Sequence, residues 1–518
     1  VFNDIHITNF FAGTEINSTD RSKNYYQGWG MQYSMGEIPY YVYEFFKKGI
    51  EDGNNYYSLS QTRSRSAAFF ANATYSYKGR YTVNGTARYE GTNRMGKSRS
   101  ARWLPTWNVS GAWNAHEEKF FSNLTSVLSH FTLKASYSLT ADRGPADVTN
   151  SQAIITSYSP YRPFTSIQES GLYIKELENS ELTYEKKHEL NIGADMGFLN
   201  NRINLAVDWY KRNNYDLIGI VNTQGAGGQI LKYANIASMK SHGIEFTLST
   251  KNIKTKDFNW NTDFIFSNAK NEVTDLKQNA NVMELISGNG FAKQGYPVRG
   301  LFSIPFVGLD KDGIPVIINE KGEATSTDIN FQERQNTGFL KYEGPTDPTI
   351  TGSLGNMFSY KGFRLNLFIT YSFGNVIRLN PVFKAYYSDL TAMTREFKNR
   401  WTLPGDEAKT NVPAILSKRM YDSNEDLKYA YNAYNYSTER IAKGDFIRLK
   451  EISLAYDFPK AWINPLKLTD LSLKVQATNL FLIYADDKLN GQDPEFFNAG
   501  GVASPVPRQF TITLRLGL

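Results

Sequence analysis

A chain of 518 residues can hold three or four ordinary domains or one very large all-β unit. Its composition, 41% hydrophobic and 21% charged, excludes a disordered chain; a net charge of +6 spread among 51 acids excludes a nucleic-acid-binding stripe; and zero cysteines exclude disulfides, thiol catalysis and Cys-ligated zinc. No apolar run approaches the roughly 18 residues of a membrane helix, which excludes a helical membrane protein but not a membrane β-barrel.

Aromatic residues make up 14% of the chain, as expected of many long strands or of aromatic belts at a membrane interface. The chain opens VFNDIHITNF, with no Met, basic segment or apolar signal core, so a leader has been removed or the chain is part of a longer one. The first clean element is YTVNGTARYE. Tyr81, Val83, Gly85, Ala87 and Tyr89 alternate with Thr82, Asn84, Thr86, Arg88 and Glu90. The rhythm returns in Asn191 to Phe198 and in Ile203 to Tyr210, where the short turn between the two predicts a hairpin. It returns again in RLNLFITYSF (364–373) and in the closing QFTITLRLGL (509–518).

Strand starts fall near residues 66, 80, 103, 129, 182, 202, 240, 257, 352, 363, 445, 470 and 506, about thirteen strands of about ten residues each. YKGR (77–80), FLNN (198–201) and SYKGF (359–363) are tight turns, whereas 143–181, 271–350 and 377–443 are long polar connections. Long strands with short turns at one end and long loops at the other fit a membrane barrel better than stacked soluble sandwiches, whose strands are shorter. The apolar face mixes Gly, Ala, Tyr and Trp, which suits lipid rather than a close-packed core. One strand breaks rhythm. In DFIRLKEISLAYDF, Ile447 and Leu449 are odd but Ile452, Leu454, Tyr456 and Phe458 are even. Either a β-bulge near Lys450–Glu451 restores the face, or Arg448 and Lys450 point outward at a polar rim.

The run RYEGTNRMGKSRSARWLPTWNVSGAWN (88–114) carries Arg88, Glu90, Gly91, Asn93, Arg94, Gly96, Lys97, Pro105 and Trp113. With LTYEKKHELNIGADMGFLNNRINLAVDWYKRNNYDLI (182–218), ANIASMKSHGIEFTL (234–248), TGSLGNMFSYKGFRLNLFITYSFGN (351–375), GDFIRLKEISLAYDFP (444–459) and PVPRQFTITLRLGL (505–518), it resembles the SusC-like family of TonB-dependent outer-membrane transporters of Bacteroidetes, motif after motif in family order. The resemblance covers residues 58–518 as barrel strands and loops. Residues 1–57 match least and read as an extracellular loop region leading into the barrel. It implies an all-β fold, a transmembrane antiparallel β-barrel, of which this chain is the C-terminal part of a 22-stranded barrel around a plug. An odd strand count leaves an edge that cannot face lipid, so the remaining N-terminal barrel strands, the plug and the TonB box are expected from another segment or chain. The final residue, Leu518, departs from the aromatic ending common in such barrels.

No catalytic, metal or cofactor set emerges. His6, His116, His130, His188 and His242 are scattered and read as surface or rim residues. Asp310 and Asp312 do not complete a calcium loop; Asp312-Gly313 between apolar runs reads as a hairpin turn. By parity, Asn84, Arg88, Glu90, Asp195, Asp208, Asn261 and Asp263 should face a polar lumen, holding a plug or touching cargo. The loops are rich in tyrosine: Tyr25, Tyr26, Trp29, Tyr40 and Tyr41 early, then Tyr386 and Tyr387, then Tyr429, Tyr431 and Tyr434. Such rings suit stacking on a sugar or covering a peptide, closing against a lid protein, or packing the loops together.

The resemblance implies no enzyme and no cofactor, a place in the outer membrane of a Gram-negative bacterium, and TonB-driven import of a large nutrient, an oligosaccharide or oligopeptide. The partners it implies are a SusD-like surface lipoprotein, TonB acting through a plug outside this chain, and outer-membrane lipid. The alternative is a structural SusC-like barrel subunit of a secretion or assembly complex.

Overall fold

The computed structural model describes all residues except 1–4, 28–30, 33, 35, 37, 40–41, 53, 55–56, 146–152, 159–168, 226–230, 384–392, 498–506 and 518. Period-2 alternation becomes strand along most of the chain. The main sheet contains fourteen strands: β1 (His6–Tyr26), β2 (Tyr57–Tyr77), β3 (Tyr81–Thr92), β4 (Trp103–Asn114), β5 (Leu128–Asp142), β6 (Glu185–Phe198), β7 (Ile203–Asn222), β8 (Leu231–Lys254), β9 (Phe258–Leu276), β10 (Ile350–Tyr360), β11 (Phe363–Phe373), β12 (Phe446–Asp457), β13 (Asp470–Ala485) and β14 (Gln509–Gly517). They form one antiparallel meander in chain order, and among the described residues β1 and β14 each pair on one side only.

The sheet has one strand more than alternation located. The extra one, β1, runs through the segment 1–57 that reads as loop, pairing residue by residue from His6 with Tyr77 to Tyr26 with Tyr57. Its periodicity is diluted. Phe10, Ala12 and Ile16 share the apolar face with Thr8 and Thr14, while Phe11 falls on the polar face opposite Asn72. Pairing with β2, rather than its own pattern, makes it a strand.

Cross-strand partners share a face, so the register sorts every residue. One row runs Val83, Gly111, Ala135, Ile192, Trp209, Ile244. Its neighbour on the opposite face runs Thr82, Ala112, Lys134, Gly193, Asp208, Glu245, Ser267, Thr351, Ser372. The first face is an apolar belt and the second is polar. In β12 the bulge reading holds. Phe368 pairs with Glu451 and Ile369 with Leu449, leaving Lys450 as the extra residue. Arg448 is thereby turned onto the polar face rather than outward to a rim.

The two ends of the sheet differ. At one end the connections are tight. Lys78 and Gly79 (φ 52° and 67°), and Lys361 and Gly362 (φ 43° and 92°), put two successive residues in the left-handed region, as a two-residue hairpin turn with the sheet's own twist requires. Leu199, Asn200 and Asn201 do the same between β6 and β7. At the other end strands lengthen and loops are long. β8 has 24 residues, about 80 Å along the strand at ~3.3 Å per residue, whereas crossing a bilayer at a tilt takes about ten. The loop ends therefore stand well clear of any membrane the belt crosses.

The described residues of the loops 277–349 and 374–445 fold together into a lobe with its own core. Val282, Leu285 and Ile286 of the short helix α1 (Val282–Ile286) pack with Phe302, Ile304, Ile317, Leu340 and Ala433. Each such side chain stabilises by about 1.5–3 kcal/mol when buried. The loops are stitched by backbone bonds from Ile304 N–H to the Tyr436 carbonyl (3.0 Å) and from Thr438 N–H to the Ile304 carbonyl (3.0 Å). The Asp312-Gly313 hairpin is present. Phe306–Leu309 pairs with Pro315–Ile318, and the Asp310 carboxylate accepts from the N–H groups of Asp312 and Ile314 at 2.9 Å each.

Candidate functional site

All seven residues expected on the lumen side share the polar face of the sheet. Near the loop end, four charges from two strands and a loop form one network. The Arg88 guanidinium donates to Glu15 of β1 (2.8 Å) and to Glu90 (2.6 Å), and Arg143 donates to the other Glu90 oxygen. Arg88 is thus the cross-strand tie that holds β1 to β3 over Phe70, whose ring its guanidinium overlies at 6.0 Å.

Further toward the tight turns the face carries amides and carboxylates. Asn84 donates to Thr74 (2.6 Å) and accepts from Asn72 (3.4 Å). Lys134 pairs with Asp195 at 2.8 Å. Gly193 lies between Lys134 and Asp208 in the register, where a Cβ would collide with the Asp208 carboxylate. A shallow cavity of about 320 Å³ opens here, lined by Thr82, Asn84, Ser110, Lys134, Asn191 and Asp208. Asp263 accepts from Ser249 at 2.6 Å, and Asn261 lies on the same face opposite Lys251 and Met357. The seven do not converge on one point. They sit on four strands, β3, β6, β7 and β9, as parts of a hydrated wall with both donors and acceptors.

A second cavity, about 550 Å³, lies where the lobe meets this wall. Its lining includes the Arg299–Asp347 pair (2.7 Å), Thr370, Asn375, Lys450 and Glu495. The bulge at Lys450 serves this junction. It swings Arg448 inward, where the guanidinium is buried and bonded to Asp493 (2.5 and 2.6 Å) and Glu495 (3.2 Å).

Sequence reasoning missed two more buried arginines. Arg378 is 5% exposed and donates to the Ser303 hydroxyl (3.1 Å) and to the carbonyls of Ser437 (2.9 Å), Ile286 (3.3 Å) and Phe302 (2.6 Å). Burial pulls its pKa down to about 9, which leaves it charged at neutral pH. Arg440 bonds Glu396 and the Asn380 carbonyl. Their partners lie tens of residues away in sequence, so no local motif announces them.

The tyrosines divide. Tyr25 and Tyr26 stand exposed at the loop end of β1, with the Tyr26 ring 4.9 Å from that of Tyr57. Tyr429 is exposed beside Lys428 on α2 (Leu427–Asn435). Tyr431 and Tyr434, two and five residues further on, are each 1% exposed and pack on Phe383 and Phe306 with ring centroids 5.3 and 5.4 Å apart. Burial raises the Tyr434 phenol pKa. Those two are packed inside the loops. Trp29, Tyr40, Tyr41, Tyr386 and Tyr387 lie outside the described residues. Among the described residues, no group of three or more histidines and carboxylates is placed to hold a metal.

Residues 2–480 match the family model described as TonB dependent receptor-like, beta-barrel. The chain is 26% identical over 578 residues to the TonB-dependent receptor P39 of Formosa agariphila, covering 100% of this chain and 51% of that protein. It is 26% identical over 515 residues to the TonB-dependent receptor SusC of Bacteroides thetaiotaomicron, covering 92% and 47%. The chain thus spans about half the length of the curated relatives it matches. Among solved structures, the RagAB peptide transporter superposes with a TM-score of 0.76 over 99% of this chain and 54% of that one, at 21% identity, a likeness of fold.

Proposed function

The chain belongs to the TonB-dependent receptor-like β-barrel family, a family of outer-membrane transporters and receptors rather than enzymes, and from that premise we propose that it forms most of the wall and the outer lobe of an importer for a large nutrient. The observation that carries the reading is the sheet's two faces. An apolar belt covers one side and a hydrated wall of paired charges and amides the other, with tight turns at one end and a folded lobe at the other. Such a wall supports passage of a polar cargo past groups that exchange hydrogen bonds without covalent chemistry.

Among the described residues β1 and β14 each pair on one side only, and hydrocarbon does not tolerate unpaired backbone groups, so this reading requires further strands against both edges and a plug through which TonB acts. The exposed Tyr25, Tyr26 and Tyr429 on the loop side suit contact with an oligosaccharide, an oligopeptide or a SusD-like lipoprotein lid. The test is uptake. A strain lacking this protein is expected to lose growth on one polymer class and regain it on complementation. It should lose that growth equally when TonB is disabled. Normal growth on every glycan and peptide source, with normal uptake of labelled oligomers, would refute import.

A further inference from the structure

We propose that the outward face of β6–β9 carries a site for the phosphates of an anionic lipid headgroup in the outer leaflet. The inference rests on the membrane-wall reading above. The register places Lys211 of β7, His242 of β8 and Lys270 of β9 directly opposite one another on the outward face. All three are exposed. They follow immediately on the apolar row Ile192, Trp209, Ile244. Lys211 and Lys270 stand on either side of His242 in one row, about 10 Å apart across two strand spacings, so two exposed cations share this part of the outward face.

The protein supplies little of that anion. Lys240 is matched by Glu272 at 3.0 Å and Lys186 by Asp216 at 2.6 Å. On this patch, among the described residues, four lysines (186, 211, 240 and 270) face two carboxylates, and no ion pair is seen for Lys211 or Lys270. Beside them His188 is held between two phenols. The Tyr137 and Tyr215 hydroxyls each lie 3.4 Å from one of its ring nitrogens, and both rings stack on it at 5.7 Å.

The height fits a headgroup. Outward residues of β7 are apolar at Ile203, Leu205, Val207 and Trp209 and turn cationic at Lys211. That change comes nine residues from the tight-turn end (203–211), against the 9–11 or so that a tilted strand needs to cross hydrocarbon. On β4 and β5 the corresponding band carries Trp107 and Tyr137 instead. The cationic patch is therefore local to β6–β9 rather than a general rim, and a phosphorylated glycolipid, whose phosphates sit at that depth while its acyl chains cover the apolar row, is the occupant the chemistry selects.

The test uses the protein purified from outer membranes in mild detergent. Native mass spectrometry would score binding of diphosphorylated lipid A, of the same lipid after phosphatase treatment, and of inorganic phosphate as competitor. Each near-surface lysine contributes about fivefold, so K211Q/K270Q should bind the diphosphorylated lipid roughly twenty-five-fold more weakly. The dephosphorylated lipid should bind both proteins alike, and equimolar inorganic phosphate should not compete. The control K418Q, in the lobe, should bind as wild type does. In lipid-free detergent K270Q should melt no lower than wild type, since it removes like-charge repulsion, which separates lost binding from misfolding. Equal lipid binding by wild type and K211Q/K270Q overturns the proposal, as does competition by equimolar phosphate. Uptake measured in parallel distinguishes this failure, with import intact, from failure of the importer reading itself.

Discussion

The sheet wall and the loop lobe are built on opposite principles. In the wall, β3 to β9, each residue's face follows from its parity and the register, and no side chain beyond the neighbouring strands is needed to explain it. In the lobe, order comes from a few groups that reach far along the chain. Arg378 holds carbonyls and a hydroxyl contributed by residues 286, 302, 303 and 437. In the wall alternation decides the face, with close approaches such as Gly193 against Asp208 as added constraints. The lobe depends on single buried charges whose loss leaves orphaned acceptors.

This contrast can be broken experimentally. The largest effect is expected from Arg378→Ala, which leaves several buried acceptors unsatisfied at about 1–3 kcal/mol each and should loosen the lobe by about 3–5 kcal/mol. Hydrogen exchange should accelerate across 277–349 and 374–445 while β3–β9 keep their protection. Loss of protection in both regions would show that lobe and wall fold as one unit. Next comes a paired substitution on β4. Val109→Arg on the apolar face should cost about 2–4 kcal/mol near mid-bilayer, and Ser110→Arg on the polar face less than about 1. Urea unfolding in lipid vesicles measures both, and equal costs would remove the distinction between faces.

Arg88→Met should be milder. The side chain is partly exposed, so losing its pairs to Glu15 and Glu90 should cost on the order of 1 kcal/mol, read as faster exchange in β1 alone. The smallest effect concerns pH. In the lobe, the Leu403 N–H, with the Thr402 hydroxyl and Lys409, pulls the Asp406 carboxyl down to about 2. A depressed carboxylate stabilises above its unfolded pKa and loses that contribution as pH falls through the folded value. The 402–410 turn should therefore hold at pH 5 and loosen between about pH 4 and 2. Trp401, bonded to Glu407 at 3.0 Å, reports it by fluorescence, and Asp406→Asn should flatten the transition.

Legibility in the sequence follows the same divide. YTVNGTARYE disclosed both faces of β3 because a strand exposes two different solvents. The phase slip in DFIRLKEISLAYDF raised a bulge near Lys450 as one of two readings, and the pairing of Ile369 with Leu449 and Phe368 with Glu451 decides for it. β1 was not legible. Phe11 sits on the wrong face and Thr8 and Thr14 on the apolar one, and its pairing with β2 is a property of two segments together. Tyr431 and Tyr434 look no different in sequence from the exposed Tyr429. Helical spacing on α2, itself hidden in a loop without a long apolar stripe, turns them inward. The seven wall residues were legible to the level of which face, because parity alone decides that, but the partners of Arg88 and Asp195 required the register.

The central claim is that one face of this sheet meets lipid and the other water. With no native cysteine, single cysteines at positions 107 to 112 of β4 can be labelled in outer-membrane vesicles and probed with a water-soluble thiol reagent and with lipid-borne quenchers. The account predicts quenching by lipid at 107, 109 and 111 and aqueous reaction at 108, 110 and 112. Aqueous reaction at all six positions, or the reverse alternation, would contradict it.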